Sequence, residues 1–177
     1  MAGSSLWLQG PIDGKHGFYY HMIVDTYSRY PEISLVPYTK FETLRPVLEE
    51  VWSHHGYPET IIHDGGPPHN SSEWSRYVEE IGCKMDQSTL ERPKANGMCN
   101  LMIASLVKII HAGISEGKQP SSLLIKFLRE YQSTLHRSTG VVPSELLMGR
   151  KIRTQHPIIS TQLTKHDCDS EIRARDV

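Results

Sequence analysis

Three shortages narrow the possibilities before any motif is considered. Cysteine is scarce, with only Cys83, Cys99 and Cys168 among 177 residues. An odd and sparse set builds no disulfide framework and points to a reducing compartment. Long hydrophobic runs are missing as well. No apolar stretch approaches the roughly 18 residues that a spanning helix needs. Met1 to Trp7 is too short to act as a secretory core, so neither membrane insertion nor export is expected. Charge of one sign is also lacking, because 19 basic and 20 acidic side chains leave a net charge of −1. That excludes a uniformly basic, histone-like nucleic-acid binder but leaves room for a local basic patch. Hydrophobic residues still make up 38% of the chain, enough for a core rather than a disordered segment. The length suits one domain, or one domain with a tail.

The hydrophobic pattern changes period along the chain. Residues 18–26 are aromatic and β-branched, and residues 31–37 alternate and end in proline, which predicts two paired strands. A further strand is expected around Leu6 to Gln9, before the turn Asp13-Gly14-Lys15-His16-Gly17. Leu44, Val47, Leu48, Val51 and Trp52 then fall at helical spacing, predicting a helix over 41–54 closed by Gly56 and Pro58. Residues 60–63 form a short strand running into the loop Asp64-Gly65-Gly66-Pro67-Pro68. Ser71 or Ser72 caps a helix over about 72–81, and 83–87 reads as an edge strand. Pro93 opens a long helix, with Gly113 and Gly117 expected to end it, and helices follow over about 120–133 and from Pro143 to Met148. The polar residues 157–177 read as a loose tail after a domain spanning 1–156. Three strands followed by strand–helix alternation give an α/β class: a mixed five-stranded sheet flanked by helices.

Several blocks of residues then carry a resemblance. They are Gly10-Pro11-Ile12 with Ile23-Val24-Asp25-Thr26-Tyr27-Ser28-Arg29-Tyr30-Pro31-Glu32, then His55-Gly56-Tyr57-Pro58 with Ile62-His63-Asp64-Gly65-Gly66-Pro67. Pro93-Lys94-Ala95-Asn96-Gly97 comes next, and last the run from Phe127 to Gly140 that continues through Pro143-Ser144-Glu145-Leu146-Leu147-Met148-Gly149-Arg150-Lys151-Ile152-Arg153. In this order, over about residues 6–157, the chain resembles the integrase catalytic core of gypsy-type retrotransposons, in the retroviral integrase superfamily. The resemblance implies a ribonuclease H-like fold and DNA strand transfer. In that chemistry three carboxylates hold two divalent cations, Mg²⁺ or Mn²⁺. Hard oxygen ligands at near-octahedral geometry are what Mg²⁺ demands, hence Asp and Glu.

Carried across one position at a time, that carboxylate set is incomplete. The first aspartate position, three residues before Gly10-Pro11, is Trp7. The second is Asp64, with Gly65 where the family has asparagine and His69 where it has an aromatic residue. The glutamate position on the long helix is Asn100, and Leu101 replaces the arginine that usually follows. An indole cannot bind Mg²⁺, and an amide offers one neutral oxygen, so two of the three ligands are lost and catalysis by this route is expected to be negligible. Residues 1–12 contain no acidic side chain that a shifted register would bring in. Asp13, Asp25 and Glu91 are the nearest other carboxylates. Asp25 reads as a structural group at a strand end, while Glu91 with Asp64 is the pair that would support an active nuclease or polynucleotidyl transferase with rearranged ligands.

Other groups are weaker signals. His54, His55, His63 and His69 flank Asp64 in sequence and suit a transition metal, but a helix-ending block and an exposed helix position explain the first two. Cys83 and Cys99 have no nucleophile-like histidine spacing and read as inert buried thiols. Gly65-Gly66-Pro67-Pro68 is followed by no Lys-Ser/Thr and is not a phosphate loop. Arg150, Lys151 and Arg153, with Arg137 and Lys126 upstream, form the best phosphate-contact candidate, and Lys94 and Lys108 lie on the long helix where the family contacts DNA. With a net charge of −1 such binding should be weak and salt-sensitive. The expected function is a retroelement-derived, non-catalytic nucleic-acid-binding or protein-interaction module. Intracellular residence is expected from the cysteine usage, whereas a homodimer and nuclear residence are implied by the resemblance alone. A folded relic with neither activity nor partner is the remaining reading.

Overall fold

A computed structural model describes residues 5–12, 18–63, 65–87 and 93–154. The expected tail over 157–177 lies outside the described residues. The elements follow as β1 (Ser5–Ile12), β2 (Tyr19–Asp25), β3 (Pro31–Val36), α1 (Phe41–His55), β4 (Thr60–His63), α2 (Ser72–Glu80), β5 (Lys84–Gln87), α3 (Pro93–Ser115), α4 (Pro120–Ser133) and α5 (Pro143–Met148). The strands form one five-stranded sheet in the order β3-β2-β1-β4-β5. β1 pairs antiparallel with β2 and parallel with β4, so the sheet is mixed, as expected from the meander followed by alternation.

Period-2 alternation assigns the two faces of the sheet. Tyr20, Met22 and Val24 of β2 and Ile62 of β4 pack with Met102, Ile103, Leu106 and Ile110 of α3 and Leu124 of α4. Ile23 and Ile61, one residue out of phase, pack with Leu44, Leu48, Val51 and Trp52 of α1 and with Trp74, Tyr77 and Val78 of α2. Each helical layer therefore covers one face of the central strands. On the α1–α2 side the indole N–H of Trp52 donates to the Tyr77 hydroxyl at 2.9 Å, and that hydroxyl donates to Glu49 Oε1 at 2.8 Å. Burial, together with the carboxylate that accepts its proton, holds the Tyr77 phenol well above its ordinary value.

The termini of the helices answer the sequence closely. Ser71, not Ser72, caps α2, its Oγ accepting from the Trp74 N–H at 3.2 Å. Gly56 closes α1 at φ +78°, its N–H donating to the Trp52 carbonyl at 2.7 Å. Gly113 is a correction, because it lies inside α3 and does not end it. A Cβ at Gly113 would stand 2.3 Å from Leu123 Cδ1, so glycine serves here to let α4 approach α3. α3 stops at Gly117, at φ +77°, where Lys118 N–H returns to the Gly113 carbonyl at 2.9 Å. α4 is also tied to the sheet edge: Gln132 Nε2, buried, donates to the Pro31 carbonyl of β3 at 3.0 Å.

Leu48 is fully buried among the side chains of α1, α2 and β4. Leu48→Ala should lower the unfolding free energy by about 3 kcal/mol, combining lost transfer energy and a residual cavity. Urea denaturation followed by tryptophan fluorescence measures this directly.

Candidate functional site

Trp7 lies in β1, where its backbone pairs with Val24 of β2 and with Ile62 of β4. Those two neighbours are buried on the α3 side of the sheet. β4 ends at His63, opposite Leu8, so the chain leaves the sheet one position beyond the level of Leu8, beside the parallel strand that carries Trp7. Asp64 itself lies outside the described residues, as does Glu91. Asn100 lies on α3 one turn before Ile103, which packs on this same face. The fold thus sets β1 beside β4 and packs the middle of α3 over Ile62. In sequence the three family positions offer an indole, one carboxylate and an amide.

The α1–α2 side of the same strands holds a cluster that the sequence reading only half foresaw. His21, His63, His69 and Trp74 are all buried. The His69 ring lies 4.8 Å from Trp74 and 5.7 Å from both His21 and His63, centroid to centroid. His63 and His69 were candidates from sequence, whereas His21 was not. The parity of β2 could have found it, since His21 lies two residues from the buried Ile23. His63 Nδ1 accepts the Gly65 N–H at 3.1 Å. That bond occupies the Nδ1 lone pair of the ring. Among the described residues no three His, Cys, Asp or Glu side chains are arranged to hold a metal ion. His54 and His55 lie elsewhere, at the end of α1: His54 is exposed, and His55 Nε2 meets Glu32 Oε1 at 2.9 Å.

Asp25 closes the β2–β3 turn. Its Oδ2 accepts from the Ser28 N–H at 2.8 Å and from Ser28 Oγ at 2.5 Å, holding a turn in which Arg29 has φ +62°. With Tyr30, Glu32, Val51, His55 and others it lines a cavity of about 10 Å³, the size of one water. Burial, then Glu32, pushes the Tyr30 phenol up to about 12, with Arg150 acting in the opposite direction. Cys83 is half-buried, and its thiol donates to the Pro58 carbonyl at 2.8 Å. Burial pushes that thiol up, which suppresses the thiolate. Cys99 belongs to α3 by backbone alone.

The basic candidates separate. Arg137, Arg150 and Arg153 are exposed, while Lys151 is drawn toward Glu145 at 3.7 Å. Exposed Lys126 and Arg129 of α4 line a groove of about 360 Å³ with Ser122, Ile125, Glu130 and Thr154, the neighbour of Arg153. The fold therefore joins Lys126 to the 150–154 segment and adds Arg129, which sequence reasoning missed because its helical face was not weighed. Lys108 is exposed on α3, on the same side as Leu101, seven residues earlier. Lys94 lies in the first turn of α3.

The loop before α5 is braced by a histidine. The Ser138 N–H donates to His136 Nδ1 at 3.3 Å, and the Gly140 N–H donates to the His136 carbonyl at 2.8 Å. Burial, then the Arg29 cation, pushes His136 below the ordinary histidine range. As pH falls, the unfolded chain takes up this proton before the folded one. The stability held by a neutral His136 is therefore complete above the ordinary range and is lost as pH falls through the lowered value. His136→Asn should flatten that part of the stability profile, as seen by denaturant unfolding between about pH 7.5 and about pH 5.

Comparison with known proteins places this architecture. The chain is similar to the catalytic core domain of BIV integrase, with a TM-score of 0.67 and 13% identity, covering 82% of this chain and 93% of that one. It is 34% identical over 146 residues to the uncharacterized protein K02A2.6 of Caenorhabditis elegans. That match covers 82% of this chain but spans only 11% of the length of the relative. No protein-family model matches the chain.

Proposed function

We propose, for a chain that belongs to the integrase catalytic-core family of retrotransposons, that it has kept the fold without the two-metal chemistry and binds nucleic acid as a non-catalytic module. The observation that carries this reading is the identity of the residues at the three ligand positions. Trp7 stands in the middle strand, Asn100 on α3, and only Asp64 retains a carboxylate. One carboxylate with one amide lacks the charge to dehydrate and hold Mg²⁺ or Mn²⁺. Titration calorimetry with either ion at millimolar concentration should show no saturable binding, for the wild type as for Asp64→Ala. Saturable binding lost in Asp64→Ala, or metal-dependent strand cleavage, would sink this reading and favour rearranged ligands that include Glu91.

Binding to DNA is the positive half of the proposal, and nuclear residence follows from it. What supports it is an exposed basic set on a chain whose overall charge is near zero. Lys126 and Arg129 line the α4 groove, and Arg150 and Arg153 belong to the segment that borders it at Thr154. Such a patch attracts phosphates locally, while the rest of the surface gives no long-range pull. A short duplex should bind at low salt and remain bound in chelator. The combined Arg150→Ala and Arg153→Ala variant should reduce the slope of log affinity against log salt by about 2, one phosphate contact per arginine. An unchanged slope in a fluorescence-anisotropy titration would remove this patch from the binding surface.

A further inference from the structure

The α4 groove is not lined as a plain phosphate track would be. Ser122, Ile125 and Arg129 stand at i, i+3 and i+7 along α4, a stripe about 10 Å long. Lys126 and Glu130 line the groove from the next positions of the helix, and Thr154 from the segment after α5. Ile125, one residue from Lys126 and one turn before Arg129, is 57% exposed. A phosphate gains nothing from an isoleucine, and a carboxylate beside it is unfavourable. Two of the lining side chains therefore have no use in a purely electrostatic contact with a duplex backbone.

Size points the same way. The groove measures about 360 Å³, the low end of the range for sites that hold a small organic molecule. That admits roughly one nucleotide and not the body of a duplex. In a duplex the base faces are stacked and their pairing edges are used, so only phosphate and sugar would meet Ile125. An unpaired nucleotide offers different chemistry. Its base has a flat apolar face that can lie on Ile125 and against the guanidinium plane of Arg129. Base amino groups can donate to acceptors of the kind that Glu130 and Thr154 bring to the lining. The flanking phosphates fall to Lys126 and to the exposed Arg153, next to Thr154.

We propose that this groove seats one unstacked nucleotide of a single strand, so that the chain binds single-stranded nucleic acid in preference to a duplex. The inference rests on the nucleic-acid reading above and names the substrate class of that same patch. Charge alone opposes such a preference. A duplex carries one charge per about 1.7 Å of its axis, both strands counted, and a single strand carries fewer and gives a shallower salt slope. A preference for the single strand therefore has to come from contacts to the base. One base held against the groove wall accounts for about a tenfold difference in affinity. The duplex keeps the exposed Arg150 and Arg153, which flank the groove lining, for its phosphates.

Fluorescence anisotropy of the full chain, in chelator and about 50 mM salt, compares a labelled single strand of mixed sequence with the duplex of the same sequence. The strand should bind about tenfold more tightly than the duplex. Ile125→Ser removes the apolar platform without changing charge. It should cancel that advantage while leaving the salt slope and the circular dichroism spectrum as they are. Ile125→Trp supplies a larger face and should tighten strand binding, with quenching of its fluorescence beyond that of the wild type. A duplex bound as tightly as the strand, or a strand preference untouched by both substitutions, would overturn this inference and leave the nucleic-acid reading standing. Failure to bind either probe would overturn both. Displacement of the strand by an acidic peptide of equal charge, as readily as by unlabelled strand, would also overturn the inference by revealing a site selective for charge alone.

Discussion

The domain depends on β1 being paired along both edges. On one side it accepts the antiparallel β2–β3 hairpin, and on the other the parallel strand β4, which carries β5 with it. The two pairings differ in origin. The hairpin is local, closed by the Asp25–Ser28 turn, whereas Ser5↔Thr60 joins residues far apart in sequence and requires α1 as the crossover. Register along β1 then decides which face each neighbouring residue meets. Slipping the pairing by one residue would turn Ile62 away from α3 and His63 toward it. The site positions inherit their placement from that same register, so the fold and the site are specified together.

A core domain with the ligand losses proposed above can therefore keep its architecture. Two or three carboxylates gathered at one end of a sheet repel one another unless cations are present. Such sites work against the fold they occupy, and their replacement generally relieves strain more than it removes support. None of the interactions described above that fasten the layers requires a metal. Gln132 holds α4 to β3, Tyr77 links α1 with α2, and the α3 side chains fill the space above Met22, Val24 and Ile62. The buried histidines are accommodated in the same way. His63 accepts a backbone N–H through Nδ1, and the edges and faces of His69 and Trp74 meet as ordinary aromatic packing.

Much of the architecture was legible because burial is periodic. Leu44, Leu48, Val51 and Trp52 marked α1 correctly even though Pro46 lies inside that helix, its cost offset by tertiary burial of the opposite face. Gly113 was misread for the complementary reason. Glycine stops a helix when its backbone turns left-handed, but here it stays helical and its missing side chain admits Leu123, a contact that sequence periodicity does not reveal. The three ligand positions rest on the resemblance, through short blocks such as Asn96-Gly97. His21 and Arg129 were not legible in the sequence, since each becomes part of a cluster only when distant elements meet: β2 with the loop after β4, and α4 with residues 150–154.

Net charge and charge placement lead to different conclusions for this chain, and placement is the more informative. The near-balance of acids and bases describes the molecule at distances beyond a Debye length, about 8 Å under physiological conditions. Within that distance the surface is uneven. The α4 groove and its border gather cations, while α3 presents Leu101 and, among its described side chains, Lys108 as the one formal cation. A phosphate backbone gains little from leucine, and a protein surface gains little from a row of exposed cations. Placement, more than net charge, is therefore what supports the proposed nucleic-acid contact at α4 and the segment after α5.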